Sequence, residues 1–109
     1  MDVLLLSTLV EEQLAAAHAS PSGRSARTIH GGSGSALRQS VLALVAGQAL
    51  GEHNSPGEAT LQVLSGRVLL RSGDASWEAA AGNYLPIPPA RHDVAAIEDS
   101  VILLTVAVS

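Results

Sequence analysis

The chain of 109 residues contains no cysteine, and this absence excludes several kinds of site. Disulfides, zinc–thiolate sites, iron–sulfur clusters and a cysteine nucleophile all require a thiol. A bound metal would therefore need imidazole, carboxylate or neutral oxygen ligands. Lysine is also absent, so the 6 basic residues are all arginine, and the formal net charge is -4. Because phosphate binding needs clustered basic side chains, we expect no nucleic-acid partner.

Aromatic residues are nearly absent as well. Phenylalanine is missing, and Trp77 and Tyr84 make up the whole aromatic fraction of 2%. Hydrophobic residues still account for 47% of the chain, so its core must be built from Leu, Val, Ile and Ala. A chain of this length has room for one such core. We expect both aromatic side chains to be packing residues, because a core this poor in aromatics needs their bulk.

Long apolar runs are missing too, since a bilayer-spanning helix takes about 20 apolar residues. The mostly apolar stretch at residues 3–10 is preceded by Asp2 and followed by Glu11 and Glu12. A secretion signal has a positively charged start instead. We therefore expect a cytoplasmic protein that has no membrane partner.

The N-terminal segment has the pattern of an amphipathic helix. Thr8 and Glu11 have the spacing of a capping box, which favours a helix start at this point. Apolar residues recur every three or four positions and would share one face, at Leu6, Val10, Leu14 and Ala17. Residues 20–23 contain serine, proline and glycine and should end the helix. We expect residues 1–22 to form a helix and linker, with His18 solvated near the helix end.

After Gly23 the sequence changes to short runs of β-forming residues separated by glycine-rich turns. These runs predict seven or eight strands, at residues 27–29, 37–46, 60–64, 67–71, 76–78, 84–87, 92–96 and 101–108. Short strands at this spacing are typical of an antiparallel sandwich or barrel, which would occupy residues 23–109.

Two glycine-bounded segments each carry one histidine. In residues 47–66, Gly47 is followed after five residues by His53, and Gly66 closes the segment. Residues 82–96 begin with Gly82 and lead through prolines to His92. The two segments resemble the two motifs of the cupin superfamily, G-x5-H-x-H-x3,4-E-x6-G and G-x5-P-x-G-x2-H-x3-N.

The segments also depart from these motifs. Ser55 stands at the second histidine position and Ala59 at the glutamate position. In the second motif Ala90 and Ala96 replace the glycine and the asparagine, and His92 comes one residue early. The resemblance implies an all-β fold, an antiparallel jelly-roll barrel with a short N-terminal α-helix, and commonly a homodimer. In most cupins three histidines and one glutamate bind a divalent metal, and His53 and His92 are what remains of that set.

We expect the chain to bind a small molecule with a polar or anionic end at this eroded metal site. Imidazoles can bind a metal or an anion, and Arg91 can bind a carboxylate or phosphate. Gln39 shares its strand face with Val41 and Ala43, which we interpret as the cavity wall. The expected ligand-binding residues are His53, His92, Gln39, Ser55, Glu58 and Arg91.

Two other functions stay open. The chain can be a metal-dependent enzyme of the oxygenase or isomerase type, with iron, manganese, nickel or zinc on His53, His92 and an oxygen donor from Glu58, Glu52 or Gln39. Side-chain alternation opposes Glu58 in this role, because it must face away from position 59. Alternatively the apolar helix face serves a protein partner, and the chain is an interaction module.

Overall fold

The computed structural model describes residues 3–52, 54 and 57–108, and among them it contains one helix followed by eight strands. The elements are α1 (Leu6–Ala19), β1 (Arg24–His30), β2 (Leu37–Leu44), β3 (Glu58–Ser65), β4 (Arg67–Ser72), β5 (Ala75–Ala80), β6 (Tyr84–Pro86), β7 (Asp93–Ala96) and β8 (Ser100–Ala107).

The strands form two antiparallel sheets. The large sheet has the order β1-β2-β8-β3-β6, and the small sheet has the order β5-β4-β7. Their facing sides are packed together by one cluster of aliphatic side chains that draws on both sheets, including Leu44, Leu61, Leu70 and Ile102. This confirms the predicted all-β jelly-roll architecture with one N-terminal helix.

Strand β3 shows how the sequence determines the inward and outward faces. Ala59, Leu61 and Val63 are buried between the sheets, whereas Glu58 and Gln62 are exposed on the opposite face. A strand places successive side chains on opposite faces, and the apolar residues here occupy every second position. The predicted alternation about position 59 is therefore confirmed.

The short segment of residues 47–51 extends the small sheet beside β7. The Gly47 N–H donates to the Ala96 carbonyl at 2.9 Å, and the Leu50 N–H donates to the Val94 carbonyl at 3.0 Å. The Ala96 N–H donates in turn to the Gln48 carbonyl at 2.8 Å. Residues 47–51 thus run antiparallel beside β7 and carry the chain to the same end of the sheet as Asp93.

Helix α1 covers part of the outer face of the large sheet. Leu9 and Ala17 are buried against Val41, Ala43 and Val101 in a second apolar cluster. The helix ends at Ala19, as the following serine-rich turn predicts. The capping-box prediction was wrong, because the helix begins two residues before Thr8 and its N-cap residue makes no side-chain capping bond.

The two aromatic side chains are not core residues, so that expectation was also wrong. Trp77 is 45% exposed and Tyr84 is 64% exposed. They lie on β5 and β6, which are edge strands of the small and the large sheet. Leucine, valine, isoleucine and alanine fill the space between the sheets without them.

His18 is exposed but is not simply solvated. Its Nε2 atom lies 2.7 Å from Oδ2 of Asp99, which joins the end of α1 to the turn between β7 and β8. The other carboxylate oxygen of Asp99 accepts the Ala46 N–H at 2.9 Å. The Ala46 N–H, followed by the hydrogen bond with His18, holds the pKa of Asp99 below its ordinary value.

Acidification should therefore weaken this junction. A carboxyl with a lowered folded-state pKa stabilises the fold above its unfolded-state pKa, and this contribution is lost as pH falls through the folded-state pKa. The melting temperature of the wild type should exceed that of Asp99→Asn near neutral pH, and the difference should shrink below about pH 4. Asp74→Asn, which changes an exposed turn aspartate, is the control. Equal melting curves for wild type and Asp99→Asn at neutral pH would contradict the prediction.

Candidate ligand-binding site

A cavity of about 440 Å³ opens at one end of the small sheet. We call it the mouth pocket. It is lined by Glu52, Arg71, Gly73, Arg91, His92 and Asp93. Four of these six residues are arginine, aspartate or glutamate, so the pocket is polar, in contrast to the aliphatic interior between the sheets.

Strand pairing brings these residues together from distant parts of the chain. Arg71 on β4 is the register partner of Asp93 on β7. On the other side of β7, the Gly51 N–H donates to Oδ1 of Asp93 at 2.9 Å. Glu52 follows Gly51 directly, so the same pairing delivers its carboxylate to the pocket.

Asp93 anchors the pocket. Its side chain is 9% exposed, and its second carboxylate oxygen accepts a hydrogen bond from the Arg71 guanidinium. A buried carboxylate is costly unless it is paired and hydrogen-bonded, and here both conditions are met. Sequence reasoning missed Asp93 and Arg71. The sequence offered one signal for Asp93. It is a charged residue at the start of a strand whose other members, Val94, Ala95 and Ala96, are apolar.

His92 is 3% exposed, and its Nδ1 atom lies 2.9 Å from the Ala90 carbonyl oxygen. A carbonyl oxygen only accepts hydrogen bonds, so Nδ1 carries the proton in the neutral ring. That tautomer makes Nε2 the acceptor atom of the ring. The prolines and Ala90 before the strand thus fix both the position and the tautomer of this imidazole.

Arg91 and Glu52 form the outer rim of the pocket. Nε of Arg91 donates to Oε2 of Glu52 at 2.7 Å, and the two side chains are 62% and 64% exposed. An ion pair this exposed contributes about 0–1 kcal/mol. Either partner can therefore be exchanged for another ion at little cost in folding free energy.

The structure separates Gln39 and Glu58 from the mouth pocket. Gln39 donates from Nε2 to Oγ1 of Thr105 at 3.1 Å. It lies on the face of β2 that carries Val41 and Ala43, and those residues pack under the helix. The interpretation of this face as the cavity wall was wrong, because alternation defines two faces without saying which one meets the second sheet. His53 and Ser55 lie outside the described residues, so the predicted meeting of His53 with His92 stays a prediction.

The described residues do not fit the four-ligand metal centre of the family. Ala59, at the glutamate position, is buried and faces the inter-sheet core, whereas Glu58 faces the other way. Within residues 3–52, 54 and 57–108, no three histidine or carboxylate side chains come together as a set that could hold a metal ion. Of the three oxygen donors considered for a metal, Glu52 shares a pocket with His92, and Glu58 and Gln39 do not.

Comparison with known proteins shows which solved structures share this architecture. No protein-family model and no curated protein matches the sequence. Among solved structures, a conserved protein of unknown function from Streptococcus pyogenes is 27% identical with a TM-score of 0.73, over 83% of this chain and 78% of that chain. An RmlC-like cupin from Desulfovibrio desulfuricans is 29% identical with a TM-score of 0.66, over 77% of this chain and 81% of that chain.

A cupin-superfamily protein from Desulfitobacterium hafniense shares the fold at 14% identity, with a TM-score of 0.73 over 79% of this chain and 78% of that chain. The two antiparallel sheets and these likenesses define a small jelly-roll protein. The chain shares its fold with cupin-superfamily proteins, as the two motif-like segments predict. In the part of the chain that the structure describes, no helix has both the length and the apolar character needed to cross a membrane.

Proposed function

We propose that this cupin binds a small anionic molecule, carrying a carboxylate or a phosphate, in the mouth pocket. The observation that carries the proposal is the convergence of two arginine side chains and one buried imidazole on a single cavity of about 440 Å³. A few placed polar groups in a concave site are the usual features of small-molecule recognition.

Arg91 is the group we assign to the ligand anion. Its guanidinium is exposed and is held by an exposed carboxylate, so a ligand carboxylate can take the place of Glu52. Guanidinium groups bind carboxylates and phosphates through paired, charge-assisted hydrogen bonds. Glu52 then acts as a built-in competitor that the ligand displaces.

Arg71 and His92 have different roles in this proposal. Arg71 stays paired with the buried Asp93 carboxylate, which offsets its charge, and its half-exposed guanidinium lines the pocket. His92 is held by the Ala90 carbonyl and forms part of the buried wall of the pocket. We assign no reaction to these residues.

Calorimetric titration of the purified protein with inorganic phosphate and with malonate tests the proposal. Arg91→Gln should raise the dissociation constant about tenfold, because it removes a charge-assisted contact. Glu52→Gln should lower the dissociation constant, because it removes the competing carboxylate. The expected effects thus have opposite signs for the two partners of one ion pair.

The matched control is Arg67→Gln. Arg67 is an exposed arginine on the same sheet, and its guanidinium is 2.8 Å from Glu78 in a comparable surface pair. Its loss should leave anion affinity unchanged. If Arg67→Gln and Arg91→Gln weakened anion binding equally, the effect would be general charge attraction and the assignment of Arg91 would be wrong. If neither anion bound at millimolar concentration, the proposal would be refuted.

The homodimer implied by the family resemblance is also a proposal. Its support is an exposed apolar run directly before α1, with Val3 87% and Leu5 66% exposed. The apolar face of α1 is packed on the protein's own sheet, so a partner would contact the run that precedes the helix.

A further inference from the structure

A second cavity, of about 590 Å³, lies at the β6 edge of the large sheet, on β3 and β6. We call it the outer pocket. The lining residues that matter below are Glu58, Thr60, Tyr84, Pro86, Ile87 and Pro89. Among the described residues, none lines both the outer pocket and the mouth pocket.

The outer pocket contains a carboxylate. Among the described residues that line it, Glu58 and the Tyr84 phenol are the ionisable groups. Among the described residues, none of the ion pairs involves Glu58, in contrast to Glu12, Glu52 and Glu78, which each have an arginine partner. A cationic ligand would supply the positive charge that Glu58 does not receive from these ion pairs.

The aromatic ring of Tyr84 stands on the same face as Glu58. Tyr84 is the register partner of Gln62, and Glu58 and Gln62 are separated by an even number of residues on β3. A strand rises about 3.3 Å per residue, so the Cα atoms of Glu58 and Gln62 are about 13 Å apart. The two side chains therefore stand at opposite ends of a space that fits a ligand a few bonds long.

The exposure of Tyr84 is itself informative. The chain has one tyrosine, and it is 64% exposed on an edge strand although the aliphatic core is closely packed without it. Proline rings at positions 86 and 89 continue the apolar surface beside it. An exposed aromatic ring next to apolar rings is a platform for a flat or aliphatic ligand body.

We propose that the outer pocket binds a small organic amine, with its ammonium group at Glu58 and its apolar body on Tyr84 and the adjacent prolines. The carboxylate supplies a charge-assisted hydrogen bond to the ammonium. The ring supplies apolar contact to the body of the ligand. The ligand class is therefore opposite in charge to that of the mouth pocket.

The test uses a matched pair of probes, 2-phenylethylammonium and 2-phenylethanol, titrated into the full chain and followed by protein-observed NMR. The two probes share one apolar body and differ in charge. Wild-type protein should bind the amine more tightly, with the largest shifts at residues of the outer pocket. Glu58→Gln should weaken amine binding about tenfold and leave alcohol binding unchanged. Tyr84→Ala should weaken both probes by about threefold or more, and Tyr84→Phe should restore both.

Glu11→Gln is the matched control, because it removes one exposed helix carboxylate and changes the net charge equally. Glu58 and Tyr84 are both exposed, so their variants should keep the wild-type melting temperature. Equal affinity for the two probes, an equal effect of Glu11→Gln and Glu58→Gln, or shifts confined to the mouth pocket would each overturn the proposal.

Discussion

Gly66→Ala should lower the free energy of unfolding by about 3 kcal/mol or more. Gly66 has a φ of 85°, a left-handed conformation that costs a side chain about 1–2 kcal/mol. An added Cβ would also meet the Asp99 carbonyl oxygen and lie 2.8 Å from Cα of Ser100. These are mostly backbone atoms at the start of β8, and they cannot move without disturbing the centre of the large sheet.

Gly82→Ala separates the two causes. Gly82 has a φ of 88°, yet an added Cβ there has no atom within 4 Å. Its replacement should therefore cost the left-handed strain alone, about 1–2 kcal/mol. Urea denaturation of both variants measures the difference. Equal losses of unfolding free energy would mean that the close approach of β8 to Gly66 does not add to the destabilisation.

Leu61→Ala should have a comparable or larger effect, lowering the free energy of unfolding by about 2–5 kcal/mol. Leu61 is 0% exposed and belongs to the cluster that joins the two sheets. Its truncation removes buried apolar contacts and leaves a cavity that the paired strands on both sides keep from closing. Chemical denaturation followed by circular dichroism is the measurement.

Gln62→Ala is the control for this prediction. Gln62 is the next residue of β3, and its side chain is exposed on the opposite face. Surface changes of this kind usually stay within about 0.5 kcal/mol. A Leu61→Ala variant as stable as Gln62→Ala would show that the inter-sheet cluster contributes little to stability.

Strand positions and the inward face of β3 were predictable from local sequence. Alternation of apolar and polar residues is a local property, so Ala59, Leu61 and Val63 could be placed on one face before any pairing was known. The same alternation correctly placed Glu58 on the other face. The end of α1 was equally local, because the residues that stop the helix follow it directly.

Other features depended on which surfaces meet, and local patterns do not contain that information. Gln39 lies on an apolar face of β2, but both faces of this strand are covered, one by the small sheet and one by the helix. The aromatic side chains were placed in the core by their bulk. Their actual positions at the sheet edges follow from strand order, which the sequence pattern does not specify.

The candidate site was also predictable only in part. His92 and Arg91 could be identified because they lie in one motif-like segment. Glu52 was a candidate oxygen donor, whereas Arg71 was not a candidate because it reaches the pocket through pairing with Asp93, which is 22 residues away in the chain. Such partners become visible once the register of the sheet is known.

The anchoring of Gly51 by the Asp93 carboxylate has a kinetic consequence. The backbone beneath Glu52 is fixed to β7, so opening the rim of the mouth pocket needs side-chain rotation and no strand movement. Rotations of exposed side chains take picoseconds to nanoseconds. An anion arriving at Arg91 would thus meet no slow gate, and its association rate should be set by diffusion and by ionic strength.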